Sequence, residues 1–170
     1  MANVSYKEKL KHITTIVLDF DGVLTDGTVF LLPPKEFVRT MHVRDSFAIE
    51  YAVKEGLNIA VISGGNNEVV IERMKYLGVT DVFIRASKNK LEIYEQYKKD
   101  KGLKDEEILY MGDDIPDYLP MQKAGLPACP NDAADEIKKL SEYISPFNGG
   151  RGCVRDVISQ ILKLKRKWNF

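Results

Sequence analysis

Short apolar segments alternate with longer amphipathic segments along most of the chain. Apolar runs of this length are typical of buried strands, and the amphipathic stretches are typical of helices. The alternation predicts an α/β fold, in which a mainly parallel central sheet is flanked by helices. The predicted strands span residues 13–18, 57–62, 82–84, 108–111 and 126–128. The predicted helices span residues 46–54, 66–77, 88–99, 116–123, 133–140 and 154–165, and Asp45 is placed to cap the first of them.

Residues 28–43 depart from this alternation. Two apolar segments, 29–32 and 37–41, are joined through residues 33–36, which predicts a β-hairpin. The two prolines in the connection leave its turn type open. The hairpin follows the first strand closely, so we expect it to project beside the end of the sheet. Its apolar side chains either cover that end or form a contact between subunits.

Composition narrows the class of protein. The 170 residues suffice for a single domain, residues 1–170, and 44% of them are hydrophobic. Lysine plus arginine and aspartate plus glutamate number 25 each, so no overall field favours nucleic acid. No apolar run reaches membrane-spanning length, and the N-terminus lacks the apolar core of a signal peptide. Cys129 and Cys153 form no disulfide framework, so a cytoplasmic location is expected.

Two carboxylates, Asp19 and Asp21, come directly after the first predicted strand. The carboxyl ends of parallel strands are where ligands bind in open α/β sheets. Two anions this close resist burial unless a cation or a shared proton compensates them. Hard oxygen ligands of this kind suit Mg²⁺. The pair therefore indicates a magnesium site at the end of this strand.

A second acidic cluster follows the strand at 108–111. It contains Asp113, Asp114 and Asp117, and helix capping would explain Asp114 alone but not both adjacent aspartates. If the two strands are neighbours, Asp19, Asp21 and Asp113 converge on one metal ion, because adjacent strands lie roughly 5 Å apart.

Groups that could hold a phosphate follow the other two strands. Ser63, Gly64 and Gly65 offer a hydroxyl and unobstructed backbone N–H groups, and Asn66 then opens a predicted helix, whose N-terminus favours anions. Lys88 and Lys90 supply cations after the next strand, and composition alone does not choose between them.

Together these groups fit phosphoryl transfer through an aspartyl-phosphate. An aspartate two residues beyond the nucleophile can protonate the leaving alkoxide and then activate water. Mg²⁺, a lysine and a serine would offset the charge on the transferring oxygens.

The four sequence segments resemble the motifs of the haloacid dehalogenase superfamily in order and spacing. The motifs match residues 19–23, Ser63, Lys90 and residues 112–117. Residues 24–27 and the glycine-rich segment 149–155 further resemble the small, capless phosphatases that act on 3-deoxy-D-manno-octulosonate 8-phosphate or on nine-carbon nonulosonate 9-phosphates. The resemblance implies a Rossmann-like fold without a cap domain, with a projecting hairpin and a C-terminal tail at about 148–170.

The resemblance also implies roles for individual residues. Asp19 would be the nucleophile, Asp21 the general acid/base, and Ser63 and Lys90 the phosphate-binding residues. The metal ligands would be Asp19, Asp21 (through its carbonyl) and Asp113, supported by Asp114 and Asp117 from outside the coordination sphere. The expected substrate-binding residues are Thr25, Gly64, Gly65 and Arg151, the last through a substrate carboxylate.

The function implied is a Mg²⁺-dependent phosphatase for 3-deoxy-D-manno-octulosonate 8-phosphate in lipopolysaccharide sugar biosynthesis. It would be a homotetramer in which the hairpin and a neighbouring subunit replace the cap, with no nucleic-acid or membrane partner. Two departures bear on the substrate: Gly65 stands where family members often carry a charge, and Ser46 where many have glycine. Alternatives are a phosphatase for a nine-carbon keto-sugar acid phosphate, a phospho-accepting signalling domain and a non-catalytic domain.

Overall fold

The computed structural model describes residues 5–34 and 36–170. Its helices are α1 (Tyr6–His12), α2 (Val43–Lys54), α3 (Val69–Tyr76), α4 (Lys90–Lys101), α5 (Tyr118–Lys123), α6 (Asp135–Leu140) and α7 (Cys153–Leu164). Its strands are β1 (Thr15–Leu18), β2 (Phe30–Leu32), β3 (Glu36–Val38), β4 (Asn58–Ile62), β5 (Asp81–Phe83), β6 (Ile108–Met111), β7 (Leu126–Cys129) and β8 (Tyr143–Ile144). Single 3₁₀ turns span Asp105–Glu107 and Ile115–Asp117.

Six strands form one parallel sheet in the order β5-β4-β1-β6-β7-β8. The central strand β1 pairs with β4 on one side and β6 on the other, so that Leu18 lies opposite both Val61 and Met111. The carboxyl ends of these three strands therefore meet at one edge of the sheet. The predicted α/β class and mainly parallel sheet are confirmed.

Apolar side chains pack on both faces of the sheet. Along β1, Ile16 and Leu18 join the cluster formed with α2, α3 and α7, whereas Val17 joins the cluster formed with α4, α5 and α6. Every residue of β1 is buried, as expected for a parallel strand covered on both faces. This double covering fixes the position of the residues that follow β1.

The five predicted strands are present, whereas three short elements were not predicted: α1, β8 and the 3₁₀ turn at Asp105–Glu107. The helix predicted to open at Asn66 begins at Val69 instead. The side chain of Asn67 accepts a hydrogen bond from the backbone N–H of Val69 (3.0 Å), a local turn that competes with a longer helix. The prediction that Asn66 lies at a helix N-terminus is therefore wrong.

The prediction that Asp45 caps its own helix is also wrong. Asp45 lies inside the first turn of α2 and is fully buried. Its carboxylate accepts hydrogen bonds from the backbone N–H groups of Arg155 (2.7 Å) and Gly152 (3.0 Å), at the start of α7. Asp45 thus satisfies the free N–H groups of a neighbouring helix, and the α7 dipole favours its negative charge. Spacing along one chain could not reveal a cap supplied from 107 residues away.

The predicted hairpin is formed by β2 and β3, which pair antiparallel with Phe30 opposite Val38. Lys35, in the predicted connection, lies outside the described residues. Five apolar side chains of the hairpin are substantially exposed: Phe30, Leu31, Leu32, Phe37 and Val38.

The chain end after α7 packs on α2, where the Trp168 ring lies 5.6 Å from that of Tyr51. In the part of the chain that the structure describes, no helix is long and apolar enough to cross a bilayer.

Candidate active site

Asp19 lies at the centre of the carboxyl edge of the sheet. Its backbone N–H continues the pairing of β1 with β6 by donating to the carbonyl of Met111 (3.0 Å). Its carboxylate accepts a hydrogen bond from the backbone N–H of Phe20 (2.6 Å) and lies 2.9 Å from Nζ of Lys90. The side chain is only 10% exposed. Asp19 is thus held from two sides and is largely enclosed at this edge of the sheet.

Asp113 and Asp117 lie beside Asp19 after β6. One carboxylate oxygen from each of the three residues lies within 4.8 Å of the others. Glycines make this convergence possible: a Cβ on Gly22 would overlap the Asp113 carboxylate, and a Cβ on Gly112 would overlap Asp117. Gly22 also has a φ of +85°, which disfavours any other residue there.

The clustered carboxylates affect one another's ionisation. Burial, followed by the Asp117 carboxylate, raises the pKa of Asp19 well above its ordinary value, although Lys90 opposes the change. Burial and Asp117 together raise the pKa of Asp113 to about 7. Among the described residues, the buried oxygens Asp113 Oδ1 and Asp117 Oδ2 have no hydrogen-bond partner. Unpaired buried carboxylate oxygens are costly, and a bound cation would satisfy them.

Lys90 is the lysine that enters the site, whereas Lys88 is exposed. Lys90 is buried at the first residue of α4 and lies 2.7 Å from Asp117 Oδ1, in addition to its contact with Asp19. Burial alone would lower the pKa of Lys90, but the two carboxylates raise it above its ordinary value. The ammonium is therefore charged and fixed between the two acids.

Ser63 and the two glycines after it lie at the end of β4. Ser63 is buried, and its hydroxyl oxygen accepts a hydrogen bond from the N–H of Gly65 (3.1 Å). A Cβ on Gly65 would lie 3.4 Å from Ser63 Oγ and 3.6 Å from Asp21 Oδ2. These two distances show that Ser63, Gly65 and Asp21 converge on one side of the site.

Asp21 is paired with Arg39, a residue that the sequence reading did not identify. Arg39 follows β3, and its Nε lies 2.5 Å from Oδ1 of Asp21. Both side chains are partly exposed, by 18% for Arg39 and 32% for Asp21. No local motif marks Arg39, because the contact arises from the way the hairpin folds back over the sheet edge.

A cavity of about 690 Å³ opens beside this pair, between the hairpin and α3. Phe20, Phe37, Val38, Met41, Val69 and Val70 supply its apolar wall. Its polar lining comes from Arg39, Asn66, Asn67 and Arg73. The dimensions suit a small organic molecule.

Known proteins resemble this chain over most of its length. No protein-family model matches the chain. A 3-deoxy-D-manno-octulosonate 8-phosphate phosphatase of Escherichia coli K12 is 31% identical over 159 residues, which cover 94% of this chain and 84% of that protein. This chain belongs to that phosphatase family. The crystal structure of a 3-deoxy-D-manno-octulosonate 8-phosphate phosphatase from Yersinia pestis superposes on this chain with a TM-score of 0.92 at 28% identity, and the match covers 95% of this chain and 87% of that one.

A structure from Moraxella catarrhalis also has a TM-score of 0.92 at 28% identity, covering 96% of this chain and 93% of that one, and is described as a complex with magnesium, phosphate and the sugar acid. In the present chain the residues fit magnesium. Three convergent carboxylates with two unpaired buried oxygens form a hard, all-oxygen set. Asp19 and Asp113 would hold the ion, together with the carbonyl of Asp21.

Asp117 and Asp114, both expected to support the metal ligands, lie in different surroundings. Asp117 is buried against Lys90 and the hydroxyl of Tyr110 (2.8 Å), within the carboxylate cluster itself. Asp114 is exposed, and its side chain accepts a hydrogen bond from the N–H of Ile115 (2.8 Å). Asp114 therefore caps the 3₁₀ turn, and the supporting role expected of Asp114 and Asp117 stays a prediction.

Thr25 shapes the loop after Asp21. It is fully buried, and its hydroxyl accepts hydrogen bonds from the N–H groups of Gly22 and Gly27 (both 3.3 Å). The side chain is thus used by the loop itself, and the expected substrate contact of Thr25 stays a prediction.

The glycine-rich segment before α7 packs on the same loop. A Cβ on Gly149 would overlap the carbonyl of Gly22, and Gly150 donates to the carbonyl of Val23 (2.9 Å). The glycines thus permit a close backbone contact with the loop that follows Asp19 and Asp21. Arg151 is exposed and pairs with Asp26 (3.0 Å) on the outside of this loop, and its contact with substrate remains a prediction.

Proposed function

We propose that this chain is a Mg²⁺-dependent phosphatase that hydrolyses 3-deoxy-D-manno-octulosonate 8-phosphate to the free sugar acid and phosphate. The observation that supports this most is the buried arrangement of Asp19, Lys90, Asp113 and Asp117, with Asp21 two residues beyond the nucleophile. Family membership supports the choice of sugar. A signalling domain would hold its phosphoryl group, whereas an acid/base at Asp21 would speed its removal.

In the first step, a carboxylate oxygen of Asp19 attacks phosphorus, and the bond from phosphorus to the sugar oxygen breaks. Asp21 donates a proton to that departing oxygen, so that the sugar leaves as an alcohol. Ser63 and Lys90 bind the phosphoryl oxygens and keep phosphorus in line with Asp19. When bound, Mg²⁺ neutralises negative charge on the phosphoryl group.

In the second step, Asp21 accepts a proton from water, and the water oxygen attacks the phosphorus of the aspartyl-phosphate. The bond to Asp19 breaks, phosphate is released, and Asp19 returns to its carboxylate form. Lys90 balances the charge that returns to Asp19, because its ammonium is fixed by Asp117 throughout.

We further propose that the chain works as one catalytic domain and assembles into a homotetramer through the hairpin. The support is the exposed apolar surface of the hairpin, whose most exposed member is Leu31 at 73%. In the tetramer the hairpin would cover the cavity beside Asp21. We place the enzyme in the cytoplasm, in lipopolysaccharide sugar synthesis, which agrees with two free cysteine thiols.

Phosphate release from 3-deoxy-D-manno-octulosonate 8-phosphate tests this function. We expect turnover with Mg²⁺, none with EDTA, and none from Asp19→Asn, which keeps the size of the side chain but not its nucleophilicity. Aryl phosphate serves as a generic substrate that reports on the chemistry alone. Turnover of the aryl phosphate but not of the sugar phosphate would reject the substrate, and turnover by Asp19→Asn would reject the mechanism.

A further inference from the structure

Two arginines, Arg39 and Arg73, line the cavity beside Asp21, and they are the ionisable residues among the described ones that line it. Arg73 donates a hydrogen bond to Ser46 Oγ (3.0 Å) and lies over the ring of Tyr76 (5.5 Å), so it is held by neutral groups. Two guanidinium groups in a partly enclosed, largely apolar cavity attract an anion.

We propose that Arg39 recognises a carboxylate on the substrate and thereby selects sugar-acid phosphates over neutral sugar phosphates. This inference rests on the proposed phosphatase function and names the residue that binds the leaving group. The phosphate itself is bound elsewhere, by Ser63, Lys90 and the metal. Arg39 therefore binds a second anionic group on the same molecule.

The hydrogen-bonding capacity of Arg39 supports this role. Its contact with Asp21 is made through Nε, one of five N–H donors of the guanidinium. The four N–H groups on the two terminal nitrogens can bind a carboxylate in bidentate fashion. Asp21 thus fixes the orientation of the guanidinium.

Gly65 leaves room for that second anion. An ideal Cβ at Gly65 would lie 3.9 Å from an Arg39 terminal nitrogen and 3.6 Å from Asp21. Any longer side chain at this position would project into the space between the two, so glycine keeps the face of Arg39 open. The positive charge that recognises the substrate in this chain is therefore that of Arg39, which follows the second strand of the hairpin.

The location of Arg39 also limits which molecules it selects. It contacts the proposed acid/base, which must reach the oxygen of the leaving group, so Arg39 lies on the leaving-group side of the phosphate. A carboxylate on the leaving group can reach it, whereas a second anion on the phosphate side cannot.

A matched pair of substrates tests the inference without assuming the natural one. 6-Phosphogluconate and glucitol 6-phosphate differ only by a carboxylate in place of a hydroxymethyl group. We expect the Mg²⁺-loaded enzyme to have a higher kcat/KM for the acid than for the neutral phosphate. Arg39→Gln should lower the ratio of these two kcat/KM values about 10- to 100-fold, the range for a lost charged hydrogen bond. Arg39→Lys should retain part of the preference, because lysine keeps the positive charge but lacks the paired N–H donors of the guanidinium.

The ratio separates recognition from any effect on the acid/base. An effect of the substitution on Asp21 lowers kcat/KM for both substrates alike and therefore cancels in their ratio. An unchanged ratio in Arg39→Gln would overturn the inference. A wild-type enzyme with no preference for the acid would overturn it as well. Lys99→Gln removes one exposed positive charge from α4 and should leave the ratio unaltered. The proposed function fails separately, if the wild-type enzyme does not hydrolyse the octulosonate phosphate.

Discussion

Lys90 and Asp117 form a buried ion pair, with Lys90 Nζ 2.7 Å from Asp117 Oδ1. Lys90 opens α4, which follows β5, and Asp117 ends the 3₁₀ turn that follows β6, so the two residues approach from opposite sides of β1. Because Asp117 is fixed in turn by the hydroxyl of Tyr110, it holds the lysine ammonium against Asp19. The pair therefore fixes a cation beside the Asp19 carboxylate.

Asp117→Asn should lower both stability and turnover. Replacing the carboxylate leaves the buried ammonium with Asp19 as its remaining charged partner, at a cost of about 1–3 kcal/mol in the free energy of unfolding. Chemical denaturation and phosphate release measure the two effects. Asp114→Asn is the matched control, since Asp114 is exposed and asparagine caps a turn as well as aspartate. Equal losses in the two variants would contradict the role of the pair.

Asp21→Asn should separate alkyl from aryl phosphates. A sugar alkoxide is a poor leaving group that needs a proton, so its turnover should fall by about 10²–10⁴-fold. An aryl oxide leaves without that proton, so the aryl phosphate should still phosphorylate Asp19, and the aspartyl-phosphate should accumulate because water is no longer activated. Mass spectrometry of the acid-quenched variant would detect one added phosphoryl group. Full activity on both substrates would remove Asp21 from the mechanism.

Mg²⁺ binding should strengthen as the pH rises through about 7. The pKa of Asp113 is raised from its ordinary 3.8 to about 7, so the metal competes with a proton below that pH. Without Mg²⁺, the folded state binds this proton more tightly than the unfolded state, so the contribution of Asp113 to stability falls as the pH rises from about 4 to 7.

Calorimetric titration and thermal unfolding with and without Mg²⁺, at pH 6 and pH 8, check this expectation. The increase in Tm on adding Mg²⁺ should be larger at pH 8, reaching the equivalent of about 2.7 kcal/mol at a hundredfold excess over Kd. Asp113→Asn should abolish most of the response. An affinity for Mg²⁺ that is the same at both pH values would contradict the assignment of Asp113 as a ligand.

Leu31→Lys should disrupt self-association. Leu31 is the most exposed apolar residue of the hairpin, and a buried lysine in a subunit contact would be unpaired. Light scattering after size-exclusion chromatography should show a smaller species than the wild type. Leu119→Lys makes the same substitution at an exposed position of α5 and should leave the assembly intact. A wild-type monomer would reject the proposed tetramer.

The sequence predicted the sheet well, because each strand is a short apolar run that ends in polar residues. Asp19, Ser63 and Asp113 could be identified because β4, β1 and β6 are neighbours, so that residues after each strand meet at one edge. Composition did not choose between Lys88 and Lys90; the motif resemblance indicated Lys90, which is the one that the structure buries at the start of α4.

The residues that the sequence did not predict depend on contacts between distant segments. Arg39 meets Asp21 only through the fold of the hairpin, and Asp45 caps a helix that begins far along the chain. Thr25 was assigned to substrate by its place in a motif, yet its hydroxyl is used by the loop itself. A linear pattern identifies the residue types that chemistry needs, but not which of them point inward.

The most direct test of the proposed function compares kcat/KM, with Mg²⁺ present, for 3-deoxy-D-manno-octulosonate 8-phosphate, the nine-carbon keto-sugar acid 9-phosphates and common hexose phosphates. We expect a strong preference for the eight-carbon acid. A preference for a nine-carbon acid would keep the mechanism and contradict the substrate, and no turnover of any of them would contradict the proposed function as a whole.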